Sequence, residues 1–189
     1  MSDGLKRRRW SAEMMVGVSA VFIGLCALFV SMYEARLMRE ETRSEVLPIL
    51  ELSRSYYVSS AEADDWRLLI QAENVGIGPA RVVDFRVTVD GQPHATWASA
   101  MAALLGSPAI VQYGQSSING RTIPPDRVVT MFDLSSTELT QSIMAEFERL
   151  DFEACYCSVF DECWTTSYQA WGASHPAESC ARGDASFTE

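Results

Sequence analysis

The chain has 189 residues, 48% hydrophobic and 21% charged, with a formal net charge of −10. That length sets a prior of one domain, and the composition excludes a disordered polyampholyte, a collagen-like repeat and a multi-pass membrane protein. The acidic balance argues against nucleic acid as a partner, because phosphates need a basic surface.

Met14 to Tyr33 is a run of 20 residues without a charge, and 16 of them are apolar. A helix of that length covers roughly 30 Å, the thickness of a hydrocarbon core. Only a helix satisfies every backbone group inside lipid, so residues 14–33 are expected to be a transmembrane helix with the lipid bilayer as partner. A cleaved signal peptide is the nearest alternative, but no A-x-A site follows the run. Lys6, Arg7, Arg8 and Arg9 are contiguous, whereas Arg36, Arg39 and Arg43 are interleaved with Glu34, Glu40 and Glu41. The positive-inside rule then makes residues 1–13 a cytoplasmic tail and sends the rest outside. The expected location is a bacterial inner membrane, single-pass, with a periplasmic domain. Residues 34–45 read as a helical stalk, 46–172 as a β-rich domain and 173–189 as a C-terminal tail. Beyond the stalk, residues 44–189 hold 8 Arg against 20 Asp and Glu, a formal charge of −12.

Pro48 ends any helix before it, and residues 46–58 read as extended. Residues 59–65 read as a loop. Trp66, Leu68, Ile70 and Ala72 alternate with polar residues, as do Val83, Phe85, Val87 and Val89. A period of two predicts half-buried strands. Between them lies Asn74-Val75-Gly76-Ile77-Gly78-Pro79-Ala80. Gly76 and Gly78 are expected to supply backbone angles that other residues resist, and Pro79 to start the next strand.

Thr96 to Leu105 predicts a short helix stopped at Gly106. Residues 106–125 read as loop, with a short strand at Ala109 to Tyr113. Arg127 to Leu134 reads as a strand. Ser135 and Glu138 fit a capping box, which predicts a helix from Ser135 to Leu150. Its Leu139, Ile143, Met144, Phe147 and Leu150 fall on one face. Phe152 to Val159 and Cys163 to Tyr168 read as the last hairpin.

Cys155, Cys157, Cys163 and Cys180 are an even set in the region expected to be exported, and Cys26 is left over in lipid. Four cysteines allow three connectivities. A bend centred on Phe160 sets Cys157 opposite Cys163, which leaves Cys155 for Cys180. Zinc is the rival, but the spacing lacks the paired C-x2-C of ribbons and knuckles.

The run REETR at Arg39 to Arg43, followed by Asn74 to Ala80, resembles a group of small bacterial single-pass membrane proteins, mostly uncharacterised. The N-x-G-x-G-P-A segment (Asn74, Gly76, Gly78, Pro79, Ala80) is similar to the strand-turn-strand of immunoglobulin-like modules. The fold class expected is mainly β, an immunoglobulin-like sandwich or a related β-rich domain, with one amphipathic helix and an N-terminal transmembrane helix.

No nucleophile elbow, phosphate loop, HExxH or dinucleotide fingerprint is present. His94 and His175 sit in no metal or triad spacing. The adjacent acids Asp64-Asp65 and Asp161-Glu162 lack further ligands at EF-hand spacing. Arg182-Gly183-Asp184 matches an adhesion tripeptide that arises easily by chance. Trp164, Tyr168 and Trp171 read as hairpin packing, with a stacking surface as the alternative. No catalytic residue, cofactor or metal is therefore expected. The expected function is a membrane-anchored, non-catalytic envelope protein whose β-domain binds a protein partner, as an accessory subunit of a membrane complex. The alternatives are a ligand-sensing domain and, behind it, a carboxylate-based hydrolase.

Overall fold

The computed structural model describes residues 12–44, 46–58, 66–106, 112–170 and 172–189. The basic cluster at 6–9, the acids at 64–65, most of the expected 109–113 strand and Trp171 lie outside the described residues. The chain divides into two compact units, Met1–Ser44 and Glu45–Glu189.

The first unit holds one helix, α1, at Ala12–Ser44. Its Ala12–Met38 stretch is long and apolar enough to cross a membrane. Its described side chains are exposed, with apolar residues on every side. The expected span and stalk form one continuous helix.

The second unit is β-rich, with two sheets. The strands are β1 (Leu50–Val58), β2 (Trp66–Asn74), β3 (Ala80–Val89), β4 (Gln92–His94), β5 (Gly114–Gln115) and β6 (Thr122–Ile123). They continue with β7 (Arg127–Ser135), β8 (Leu150–Cys157), β9 (Cys163–Ser167) and β10 (Ser174–Ala177). Two helices, α2 (Trp97–Leu105) and α3 (Thr137–Ala145), are inserted. The first sheet runs β1-β2-β7-β5 and the second β10-β9-β8-β3-β4, with β6 also on β3. Every pairing is antiparallel.

Alternation places the core. Leu50 and Leu52 from β1, Leu68 and Ile70 from β2, Val87 from β3 and Phe152 from β8 are all buried in one cluster. That shared cluster joins the two sheets. In β3 the phase differs from the sequence reading. A register shift between Val82 and Asp84 inserts Val83 as a bulge, so Val82 is buried and Val83 only partly so. Each residue before the bulge therefore faces opposite to a simple count from Phe85.

Three other expectations change. The helix expected from Ser135 to Leu150 is α3 alone, followed by a 3-10 turn at Phe147–Arg149. Ser135 stays in β7, paired with Arg67, so the capping box with Glu138 does not form. Thr137 Oγ1 instead accepts the Trp66 N–H at 3.1 Å. At the other end Asp90 N–H donates to Arg149 O, and Leu150 pairs with Val89. Sheet pairing thus captures both ends of the amphipathic run. A capping box does form on α2, between Thr96 and Ser99. Finally, residues 173–189 belong to the domain. β10 extends the second sheet, and Phe187 is buried against Phe85 and Trp97, with ring centroids 5.6 and 5.1 Å away.

The turn after β2 accounts for its glycines, though not by backbone angle. Neither Gly76 nor Gly78 has a positive φ. A Cβ on Gly76 would lie 2.3 Å from Ile49 N, and one on Gly78 would lie 1.8 Å from Val46 O. Residues 46–49 run directly over the two glycines, which are needed for space. Val75 N–H donates to Ile49 O, and the Ile77 and Gly78 N–H groups both donate to Leu47 O. Asn74, fully buried, locks the turn. Its Oδ1 accepts from Gly76 N and Ile49 N, and its Nδ2 donates to Gly78 O at 2.8 Å and Ile123 O at 2.9 Å.

Gly78→Ala puts a methyl group where a backbone carbonyl sits, and neither atom can rotate away. The expected outcome is a loss of about 3 kcal/mol, the upper range for overpacking, read from the urea midpoint of the full chain in detergent. A midpoint equal to wild type contradicts the space argument.

Candidate functional site

A cleft of about 670 Å³ opens beside β1. Its floor is four successive residues of β1, Glu51, Leu52, Ser53 and Arg54. Four in a row means that the cleft follows the strand's edge, since one face would supply only alternate residues. β1 pairs with β2 on one side and has no strand neighbour on the other among the described residues. The opposite wall comes from the start of β8 and the turns beside the second sheet: Phe147 and Glu148 of the 3-10 turn, Leu150, and Tyr168 and Gln169 beyond β9.

Leu50, Leu52 and Arg54 share the inward phase of β1, so Arg54 takes a position where a core residue would sit. It is accommodated because the sheets part there. Its guanidinium lies 4.2 Å from the Phe147 ring centroid and 5.8 Å from that of Tyr168. Tyr168 in turn stacks on Phe152 at 4.8 Å. A cation over an aromatic face is attracted by the ring quadrupole. Arg54 makes no ion pair among the described residues. Its N–H donors remain available to a carboxylate or to backbone carbonyls. Gln169 is held in place: its N–H donates to Asp151 Oδ1 at 3.1 Å and its side-chain amide to Glu148 O at 3.0 Å.

Glu51 and Glu148 both border the cleft, the residue type that acid–base hydrolysis needs. Both are exposed.

Beside the cleft, Arg149 pairs with Asp90 and with Glu146, at 2.6 and 3.1 Å. The Arg149 hydrogen bond holds the Asp90 carboxyl below the usual aspartate range. The same bond raises the Arg149 guanidinium further above its ordinary value.

The expected disulfide residues lie elsewhere, on the outward face of the second sheet. Cys157 is joined to Cys163 and Cys155 to Cys180, with Cα–Cα distances of 4.0 and 5.7 Å. The hairpin turn is braced by Ser158, whose Oγ accepts from Phe160 N at 3.1 Å. Sγ atoms of Cys157, Cys163 and Cys180 lie within 4.8 Å of one another, a spacing a metal could use only if both bonds were reduced. Cys26 is free and exposed on α1.

Asn74, Gly76, Gly78 and Pro79 shape the turn described above and line neither the cleft nor the cysteine cluster. His94 lies in β4 and His175 in the edge strand β10, well apart in the sheet order. Asp161 is ion-paired with Arg81, and Arg182 Nε donates to Ser186 Oγ, so both polar motifs have local structural partners. Trp164 stacks on Tyr156 at 5.9 Å. Of the hairpin aromatics singled out by sequence, Tyr168 reaches the cleft.

The sequence reading missed Arg54, Phe147 and Gln169. Arg54 was detectable as a charge in the apolar phase of β1. Phe147 was hidden in an apparent helix stripe, and nothing local marks Gln169. No protein-family model matches the chain, and no curated protein matches it.

The Asp90 pairing has a pH signature. A carboxyl whose folded pKa is depressed adds stability above its unfolded pKa, near 3.9, and loses it as pH falls further. Asp90 has φ +52, a conformation that asparagine tolerates. Asp90→Asn is therefore expected to be less stable than wild type at pH 7, with the two urea midpoints converging toward pH 2. A difference that does not change with pH contradicts the assignment.

Proposed function

We propose that this is a membrane-anchored, non-catalytic protein whose β-domain binds a protein partner, as an accessory subunit of a membrane complex. α1 serves as the single membrane span, with the domain on the periplasmic side of a bacterial inner membrane. The two-sheet core supports reading the domain as an immunoglobulin-like sandwich or a near variant. The resemblance to small bacterial single-pass proteins belongs to the same proposal.

The observation that carries the binding role is the cleft along the free edge of β1. An unpaired edge offers a row of backbone N–H and C=O groups to an added strand. In strand addition, backbone hydrogen bonds supply affinity and flanking pockets supply specificity. Here the pocket beside the edge contains Arg54 on its aromatic bed. An extended partner segment lying along β1 would present a carbonyl or carboxylate to it. The domain's negative charge permits steering to a partner with a basic surface and keeps the domain off anionic lipid.

A ligand-sensing role is the second reading. The cleft volume falls within the range of small-molecule sites, and Arg54 suits an anion.

Arg54→Glu reverses the charge in the cleft, while Ser142→Glu alters an exposed position of α3 outside it. In mild detergent from native membranes, wild type and Ser142→Glu are expected to retain a stoichiometric partner that Arg54→Glu loses at least tenfold, about 1.4 kcal/mol. A wild-type preparation that is monomeric with no co-purifying chain overturns the binding role. A small anion that raises the Tm of wild type and not of Arg54→Glu, without a protein partner, favours sensing.

A further inference from the structure

The register of the second sheet sets out a grid of side chains on its outward face. One row runs His175, Thr165, Cys155, Asp84 across β10, β9, β8 and β3. The next runs Ala177, Cys163, Cys157, Arg81. Both disulfides therefore occupy adjacent rows of one face. Their proximity goes beyond neighbourhood, because Cys180 Sγ lies within 4.8 Å of the Sγ atoms of both Cys157 and Cys163. A sulfur of one disulfide is within a small movement of either sulfur of the other.

A second feature of this face is a buried carboxyl oxygen left without a donor. Asp84 is buried, with its side chain only 3% exposed. Its Oδ2 accepts from Arg86 Nε at 2.7 Å, but its Oδ1 has no hydrogen-bond partner among the described residues. A buried acceptor without a donor forfeits the hydrogen bonds that water gives it in the unfolded chain. The side chain directly across from it on β8 is Cys155, which carries no proton while it is in a disulfide. Directly opposed Cβ atoms lie about 4.5–5.5 Å apart. A reduced Cys155 would bring an S–H donor within reach of Oδ1.

We propose that the four domain cysteines form a thiol–disulfide exchange relay, in which electrons accepted at the hairpin disulfide pass to the bond that pins the C-terminal segment. The reductant is a dithiol. One of its thiolates attacks Cys163, the more accessible hairpin cysteine, with 9% of the residue exposed against 2% for Cys157. A bond forms between that sulfur and Cys163, the Cys157–Cys163 bond breaks, and Cys157 leaves as a thiolate. Cys157 then attacks Cys180. The Cys157–Cys180 bond forms, the Cys155–Cys180 bond breaks, and Cys155 leaves. Attack by a thiolate through a mixed disulfide is the ordinary course of such exchange. The second thiol of the reductant displaces Cys163, closing the reductant's own disulfide. Two electrons have moved, and the two protons of the dithiol end on Cys155 and Cys163. The Cys155 thiol donates to Asp84 Oδ1, which favours this arrangement of the half-reduced protein. The C-terminal segment changes its anchor from Cys155 to Cys157, two residues along β8. The relay does not depend on the binding role of the cleft.

The test uses the full chain in detergent with Cys26 blocked by alkylation beforehand. One molar equivalent of dithiothreitol is added, the reaction is quenched in acid, and free thiols are alkylated and mapped by peptide mass. The expected product carries label on Cys155 and Cys163 and keeps a Cys157–Cys180 cross-link. Label on Cys155 and Cys157 with a Cys163–Cys180 cross-link also supports transfer, through the other hairpin sulfur. Label confined to Cys157 and Cys163, or to Cys155 and Cys180, overturns the relay, as does resistance of both bonds to excess reductant. Asp84→Asn replaces the charged acceptor with a neutral one and is expected to lower the ratio of relayed to unrelayed product about tenfold. An unchanged ratio removes Asp84 from the relay. Cys155→Ser, made in a chain carrying Cys26→Ser in place of the alkylation step, provides an independent check without reductant. Its Cys180 thiol is expected to exchange into the hairpin and spread the free thiol over Cys157, Cys163 and Cys180, and label on Cys180 alone overturns the proposal.

Discussion

The side-chain amide of Asn74 fixes the geometry on which the first sheet and its cleft depend. It meets four backbone groups at once, from residues 49, 76, 78 and 123. Those groups come from three separate stretches of chain. A buried amide of this kind cannot be replaced by an apolar side chain without stranding its partners. The glycines beside it then let residues 46–49 lie on the turn at backbone contact. The segment that follows α1 is thereby carried into β1 in a defined register with β2, from Leu50 opposite Asn74 to Val58 opposite Trp66. Without that start, the edge of β1 would have no fixed relation to the wall opposite it.

The second sheet is secured by different means. Its inward face packs an aromatic group around Trp97, with Phe132 and Phe187 at centroid distances of 5.0 and 5.1 Å. Its outward face is cross-linked by two disulfides and crossed by the C-terminal segment, which returns to hydrogen-bond Phe85 O and Ala95 O. Cleft and cysteine cluster therefore sit on different faces of one domain. The proposed binding and exchange roles involve separate residues, since no residue of the cleft is a cysteine or a cross-strand neighbour of one.

Much of the fold was legible because its signals are local. The apolar run of α1, the alternation in β2 and the Gly106 stop of α2 each depend on residues a few positions apart. The hairpin pairing of Cys157 with Cys163 is local in the same sense. Where the reading departed from the structure, a distant strand competed with a local preference. Ser135 had a helix cap in its own sequence but was taken by Arg67 of β2. Leu150 fell on a helical stripe but pairs with Val89. The bulge at Val83 shifted a phase that alternation alone could not place. The C-terminal segment looked like a polar tail because Phe187 is its one buried aromatic, and its other attachments, β10 and the Cys180 disulfide, depend on partners far away in the chain.

The amino-acid sequence by itself determined a basic start, one apolar helix, an acidic β-rich region and a cysteine-rich end, since each follows from composition or short-range periodicity. Tertiary structure decided what those parts present to each other. Arg54 became a cleft residue only when Phe147 and Tyr168, more than 90 positions away, were folded beneath it. Asp84 and Cys155 became neighbours only through sheet register. The glycines of the Asn74 turn were needed for space, not for angle, because another stretch of backbone lies against them. Contacts of that kind join residues far apart in the chain, and no local pattern encodes which distant surface will arrive.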